Sequence, residues 1–200
     1  LGSRSTAIGY AALNTQNFTT ATDSYNTAVG YDAGTAVTTG KEDTLIGALA
    51  GVALTTGQEN VAVGYAALNA DTKGNHSTAL GHRALVNQNF TTSTNTHNVA
   101  VGFAAGASVT TGVENTIVGG LAGDAITTGT NNVAFGYNAL GASQTGTHNT
   151  AVGNSALGNQ NVSGANFNTA VGAGAGSQVT TGQNNTFIGA AAGDALTDGA

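Results

Sequence analysis

The sequence predicts an all-β chain wound as a parallel β-solenoid of about eleven coils, most of them with a 17-residue period. Three observations predict it. First, a pentapeptide of the type Asn-Thr-Ala-Val-Gly recurs from end to end, as in Asn26-Thr27-Ala28-Val29-Gly30, Asn60-Val61-Ala62-Val63-Gly64 and Asn149-Thr150-Ala151-Val152-Gly153. Second, the closing glycines are Gly9, Gly30, Gly47, Gly64, Gly81, Gly102, Gly119, Gly136, Gly153, Gly172 and Gly189, at successive sequence intervals of 21, 17, 17, 17, 21, 17, 17, 17, 19 and 17. Third, the chain has 31 Gly and no Pro, Cys, Met or Trp, with only 7% charged residues. A short, regular period of this kind is one structural unit stacked on copies of itself. Residues 1–200 therefore form one continuous rod, and with both ends falling inside a repeat, the reading is of a piece of a longer fibre.

The first element of each coil is a short strand. The residue before the glycine is large and apolar: Val29, Ile46, Val63, Leu80, Val101, Val118, Phe135, Val152, Val171 and Ile188. Two residues earlier stands Thr or Val. Alternation places both on one face, and β-branched side chains favour the extended state. These ten residues are expected to stack as the buried core column, with the intervening Ala on the opposite face. The glycine then allows a bend that a Cβ would hinder.

Three residues past each glycine stands Ala, from Ala12 and Ala33 to Ala192, which limits that site to a methyl group. A second strand is expected at Val37-Thr38-Thr39, Leu54-Thr55-Thr56 and their equivalents, ending at a second glycine such as Gly40 or Gly57. The residue that opens the first strand is Asn26, Asn60, Asn98, Asn115, Asn132, Asn149, Asn168 or Asn185, with Ser5, Asp43 and Ser77 elsewhere. All three residue types hydrogen-bond backbone through a short side chain, and stacked amides form ladders. At a spacing of about 4.8 Å per coil, eleven coils make a rod roughly 50 Å long.

A longer period overlies the short one. Gly30 and Gly102 close the two 21-residue coils, and the 72-residue interval between them makes the larger unit four coils with one insertion. Its third copy is two residues shorter. Leu45, Ile117 and Phe187 replace the intervening Ala once per unit. The inserted loops fall at Asn14–Phe18, Asn87–Phe90 and Asn159–Val162. Insertions in solenoids map to one side, which is often the contact side. Asn17, Phe18, Asn89, Phe90 and Asn161 are thus candidate contacts to a host-surface glycan or protein. The plainer alternative for each Phe is a ring that pins its own loop. The Ala columns, joined by Leu45, Ile117 and Phe187, form a second apolar stripe that a monomer would expose. A stripe of this length marks an interface between chains.

These repeats, Ser5-Thr6-Ala7-Ile8-Gly9-x-x-Ala12 and Asn26-Thr27-Ala28-Val29-Gly30-x-x-Ala33, resemble the head repeats of trimeric autotransporter adhesins. The 17-residue version with Thr-Thr-Gly is similar to repeats of phage tail fibres. The resemblance covers essentially the whole chain. It implies a left-handed β-roll, a homotrimer, and an extracellular place on a virion fibre or a bacterial cell surface. The adhesin head period is nearer 14, which separates this chain from that pattern. The expected function is the structural and adhesive shaft of a phage tail fibre. The alternatives are the head of a bacterial trimeric adhesin and an ice-binding solenoid built on the Thr-Thr columns.

The sequence speaks against other classes. A net charge of −6 with four Lys and Arg leaves little to neutralise phosphates, so no nucleic-acid partner is expected. No apolar run approaches a membrane span, so no membrane insertion is expected. Without Cys there is no thiolate site. No phosphate loop or calcium-solenoid motif occurs, and Ser, His and Asp show no catalytic spacing. No enzyme activity, cofactor or metal is expected. His76, His97 and His148 precede the strand start in equivalent positions, where a solvated turn residue is the simpler reading than a metal ligand.

Overall fold

Residues 2–198 are described by the computed structural model, and they form a parallel β-solenoid with no helix. Eleven three-residue strands, from Thr6–Ile8 and Thr27–Val29 to Thr169–Val171 and Thr186–Ile188, pair in chain order into a single parallel sheet. The register never slips: Ala28 pairs with Leu45, Leu45 with Ala62, and Ala62 with Ala79. Three two-stranded sheets accompany the longer coils, pairing Gly2–Ser3 with Thr22–Asp23, Gly74–Asn75 with Thr94–Asn95, and Gly146–Thr147 with Gly164–Ala165. Among the described residues no helix is long and apolar enough to cross a membrane.

The glycine that closes each strand is a point of close approach between coils. Its N–H donates to the carbonyl of the residue before the preceding glycine, for example Gly30 to Ile8 and Gly47 to Val29, both at 2.8 Å. A Cβ on Gly30 would lie 2.6 Å from the carbonyl carbon and oxygen of Gly47. Its φ of +142° is one that L side chains rarely adopt. Both constraints demand glycine.

The strand faces are the reverse of the expectation. The middle residues Ala28, Leu45, Ala62, Ala79, Ala100, Ile117, Ala134, Ala151 and Ala170 are wholly buried. The predicted core column faces outward: Val29, Val63, Val101, Val118 and Val152 are half-buried, while Ile46, Leu80, Phe135, Val171 and Ile188 are exposed. Alternation defines two faces but does not say which is enclosed. Here the closure of the coil decides it. The strand's middle Ala faces the Ala three residues past the glycine, and Ala33, Ala50, Ala67, Ala84 and Ala105 are also wholly buried. The Ala stripe is therefore the inside of the coil and not its outer surface.

The second strand also fails to form in the 17-residue coils. Thr38 and Thr39 lie in a bend. The N–H groups of Thr38, Thr39 and Gly40 all converge on the carbonyl of Thr55, and the Thr38 hydroxyl donates there at 3.1 Å. One carbonyl serving four donors draws the chain into a corner, so no extended ladder can run through it. Val37, Leu54, Val109, Ile126 and Val179 point inward from this corner and are wholly buried.

The four-coil unit has a volumetric cause. Four residues past the closing glycine stand Leu13, Gly34, Gly51, Leu68 and Leu85, and the pattern continues with Gly106, Gly123, Leu140 and Leu157. A Cβ on Gly34 would meet Leu45 Cδ1 at 2.6 Å, and one on Gly51 would meet Leu45 Cδ2 at 2.7 Å. Leu45 thus occupies the space that two leucines fill in other coils. Ile117 lies against Gly106 and Gly123 in the same way, and Phe187 against Gly176 and Gly193. Large and small side chains exchange sides of the core at constant volume. Leu45→Ala should leave a hole that no neighbouring Cβ fills, and should lower stability by about 2–5 kcal/mol. Urea or thermal unfolding followed by circular dichroism measures the loss.

Candidate interaction surfaces

The inserted loops are tied to the core by a buried glutamine. In the second unit, Gln88 occupies the inward column that Val37 and Leu54 fill elsewhere, and it is wholly buried. Its amide nitrogen donates to Asp71 Oδ2 at 2.6 Å and to Ser77 Oγ at 2.8 Å, while its oxygen accepts from Asn98 Nδ2 at 2.9 Å. Asp71 Oδ1 in turn accepts from the N–H groups of Gly74 and Phe90, both at 3.1 Å. Gln16 donates to Ser24 Oγ at 2.9 Å in the first unit, and Gln160 donates to Asn149 Oδ1 at 3.1 Å in the third. The inward column is therefore apolar for two coils and polar for the next two.

Of the loop residues chosen from sequence, Asn17, Asn89 and Asn161 are exposed. Phe18 and Phe90 are not: they are only 6% and 7% exposed, and so offer no ring to a ligand. Each ring is buried because taking its apolar surface out of water is favourable. The 72-residue interval of these loops was legible in the sequence. The inward glutamine was not, although its recurrence at 16, 88 and 160 was a usable signal.

The outer face of the long sheet is a continuous surface along the rod. It carries the Thr or Val that begins each strand, the Val, Ile, Leu or Phe that ends it, and, in six coils, a ring just past the glycine. Tyr10 and Tyr31 stack at 5.4 Å, and Tyr65, His82 and Phe103 stack in succession at 5.3 Å per step. No Lys, Arg, Asp or Glu stands in these three columns.

One edge of this face carries the residues preceding each ladder position. Glu59 lies 3.1 Å from His76 Nε2, and the rings of His76 and His97 stack at 5.0 Å. His148 packs instead against Phe167 at 4.9 Å. Among the described residues, no three His, Asp or Glu side chains are grouped to hold a metal ion, and the surface has no pocket.

Asn98, Asn115, Asn132 and Asn149 form consecutive rungs of the predicted ladder. Asn98 Oδ1 accepts from the Asn115 N–H at 2.9 Å, and Asn115 Oδ1 from that of Asn132 at 3.1 Å. The amide nitrogen donates to a glycine carbonyl further along the coil, as from Asn60 to Gly74 at 3.0 Å and from Asn115 to Gly129 at 2.9 Å. Asp43 stands in this ladder, wholly buried. Its Oδ1 accepts from the backbone and side chain of Asn60, but Oδ2 has no partner. By position Oδ2 corresponds to the amide nitrogen that donates to the glycine carbonyl, here that of Gly57. A carboxylate has nothing to donate, whereas a carboxylic acid does. Burial pushes the Asp43 pKa up to about 8, against the opposing hydrogen bonds from Asn60 and with the help of the Glu59 and Asp71 charges.

No family model matches this chain, and no curated protein or solved structure matches it either.

Two outcomes are expected. Because the folded pKa of Asp43 exceeds the unfolded one, its contribution to stability is complete below pH 4 and is lost as pH rises toward 8. Asp43→Asn should therefore raise the melting temperature at pH 8 and match the parent below pH 4, as scanning calorimetry across that range would show. Gln88→Leu keeps the column filled but strands Asp71 and Asn98. It should cost about 1–3 kcal/mol in spite of its greater hydrophobicity, measured by denaturant unfolding.

Proposed function

We propose that this chain is a structural and adhesive shaft segment of a phage-type tail fibre, with three copies packed through the outer face of the long sheet. The observation that carries the proposal is that face itself. Eleven coils present Val, Ile, Leu and Phe in one line, flanked by Thr and Val and by stacked rings, with no Lys, Arg, Asp or Glu among them. A surface of roughly 50 by 13 Å, from the strand spacing and rise, offers on the order of 600 Å² from each copy. A stable interface takes about 800 Å² per partner, and further coils add area in proportion. The repeats' resemblance to fibre and adhesin repeats supports three copies in preference to two.

The packed face is the Val column, not the Ala stripe anticipated from the sequence, because the Ala stripe lies inside the coil. Sedimentation equilibrium of the chain should return the mass of a trimer. Leu80→Lys combined with Phe135→Lys places charges on the outer face without touching the interior. It should give monomers with an unchanged circular dichroism spectrum. A parent chain that remains monomeric at high concentration overturns the proposal. If that monomer also suppresses ice recrystallisation, the exposed column of the Thr-Thr corners, with Thr39, Thr56 and Thr111, would be acting on ice instead.

A further inference from the structure

We infer that the three inserted loops are acceptor sites for N-linked glycosylation. Each holds an Asn-x-Ser/Thr tripeptide: Asn17-Phe18-Thr19, Asn89-Phe90-Thr91 and Asn161-Val162-Ser163. This is the acceptor pattern for a sugar on the asparagine amide. The three asparagines keep one 72-residue interval even though the third unit is shorter than the others, so the shortening falls after the tripeptide.

The structure presents all three in the same manner. The backbone N–H of the asparagine donates to a threonine carbonyl on the next coil: Asn17 to Thr38 and Asn89 to Thr110, both at 2.9 Å, and Asn161 to Thr180 at 3.1 Å. The middle residue turns inward, with Phe18 and Phe90 buried and Val162 half-buried. The first and third residues are then left outside, and Asn17 and Thr19, Asn89 and Thr91, and Asn161 and Ser163 are all exposed. A transferase must reach both the amide and the hydroxyl, and both are offered here.

Two further tripeptides fit the pattern but not the presentation. Asn75 is only 4% exposed, its amide donates to Ser93 and Asn95, and its partner Ser77 is buried. Asn184 and Thr186 are both exposed, but Asn185 between them is a ladder rung held by Asn168 and Thr186 begins a strand, so this tripeptide runs into the sheet instead of lying in an inserted loop.

In the reaction, the Asn Nδ2 bonds to C1 of a sugar carried on a phosphate leaving group, either nucleotide-linked or lipid-linked. The C1–O bond breaks, the phosphate leaves with the electron pair, and the amide nitrogen gives one proton to a base of the transferase. No oxidant or reductant is needed. The product is a row of sugars at roughly 19 Å intervals, four coils apart, rising from a corner of the coil and not from the sheet face. The inference does not depend on the number of copies in the fibre.

The test incubates the folded, purified chain with a soluble asparagine glucosyltransferase and UDP-glucose, followed by intact mass and peptide mapping. A free peptide containing Asn-Phe-Thr confirms that the enzyme is active. Three hexose additions are expected, on Asn17, Asn89 and Asn161, ahead of any at Asn75 or Asn184. Thr91→Ala, at an exposed position, should remove the addition at Asn89 alone, with the circular dichroism spectrum unchanged. The inference is overturned if the peptide is modified while the folded chain is not. It is equally overturned if modification appears only after unfolding, or if Asn75 or Asn184 reacts as fast as the loops.

Discussion

The whole rod depends on glycine stacked upon glycine. Where each strand ends, consecutive backbones approach so closely that a Cβ would enter the next coil's carbonyl group. The φ values there run from +118° to +142°. Because each of these glycines also donates to the preceding coil, the contact fixes both the rise and the register. With the register fixed, the same residue of every coil meets its own equivalent. Columns of Ala, Asn, Thr and aromatic rings follow from this repetition without further instruction.

The interior behaves as a set of columns that share one volume. Alanine on both walls keeps the coil thin. Where one wall swells to Leu45 or Ile117, the opposite position shrinks to glycine in two coils. Where the inward corner turns polar, at Asp71 and Gln88, the partners come from the Asn ladder and from the inserted loop. Most of these buried polar groups are paired, and at Asp43, where Oδ2 has no partner, burial raises the carboxyl pKa.

The surfaces divide the labour that the interior makes possible. The sheet face carries a continuous line of Val, Ile, Leu and Phe without Lys, Arg, Asp or Glu, which suits packing against a copy with the same spacing. The loops leave the coil at a different corner and carry polar, exposed asparagines. Because the sheet face and the loop corner are separate, a rod of this kind can lengthen by whole four-coil units without disturbing either surface.

The period, the glycine corners, the Asn ladder and the methyl-limited Ala column were all legible in the sequence, because each follows from a residue type that only one backbone environment accepts. The inside and outside of the strand were not legible. Val29 and Ala28 alternate either way, and only the closure of the coil puts Ala28 within and Val29 toward the outside. The Thr-Thr segment has the composition of a strand, but one carbonyl on the next coil gathers its donors and bends it. Phe18 and Phe90 read as surface rings until the loop closed over them. Sequence determined what repeats and at what interval. The tertiary structure decided which side of each repeat meets water, because that choice depends on the space left by the neighbouring coils.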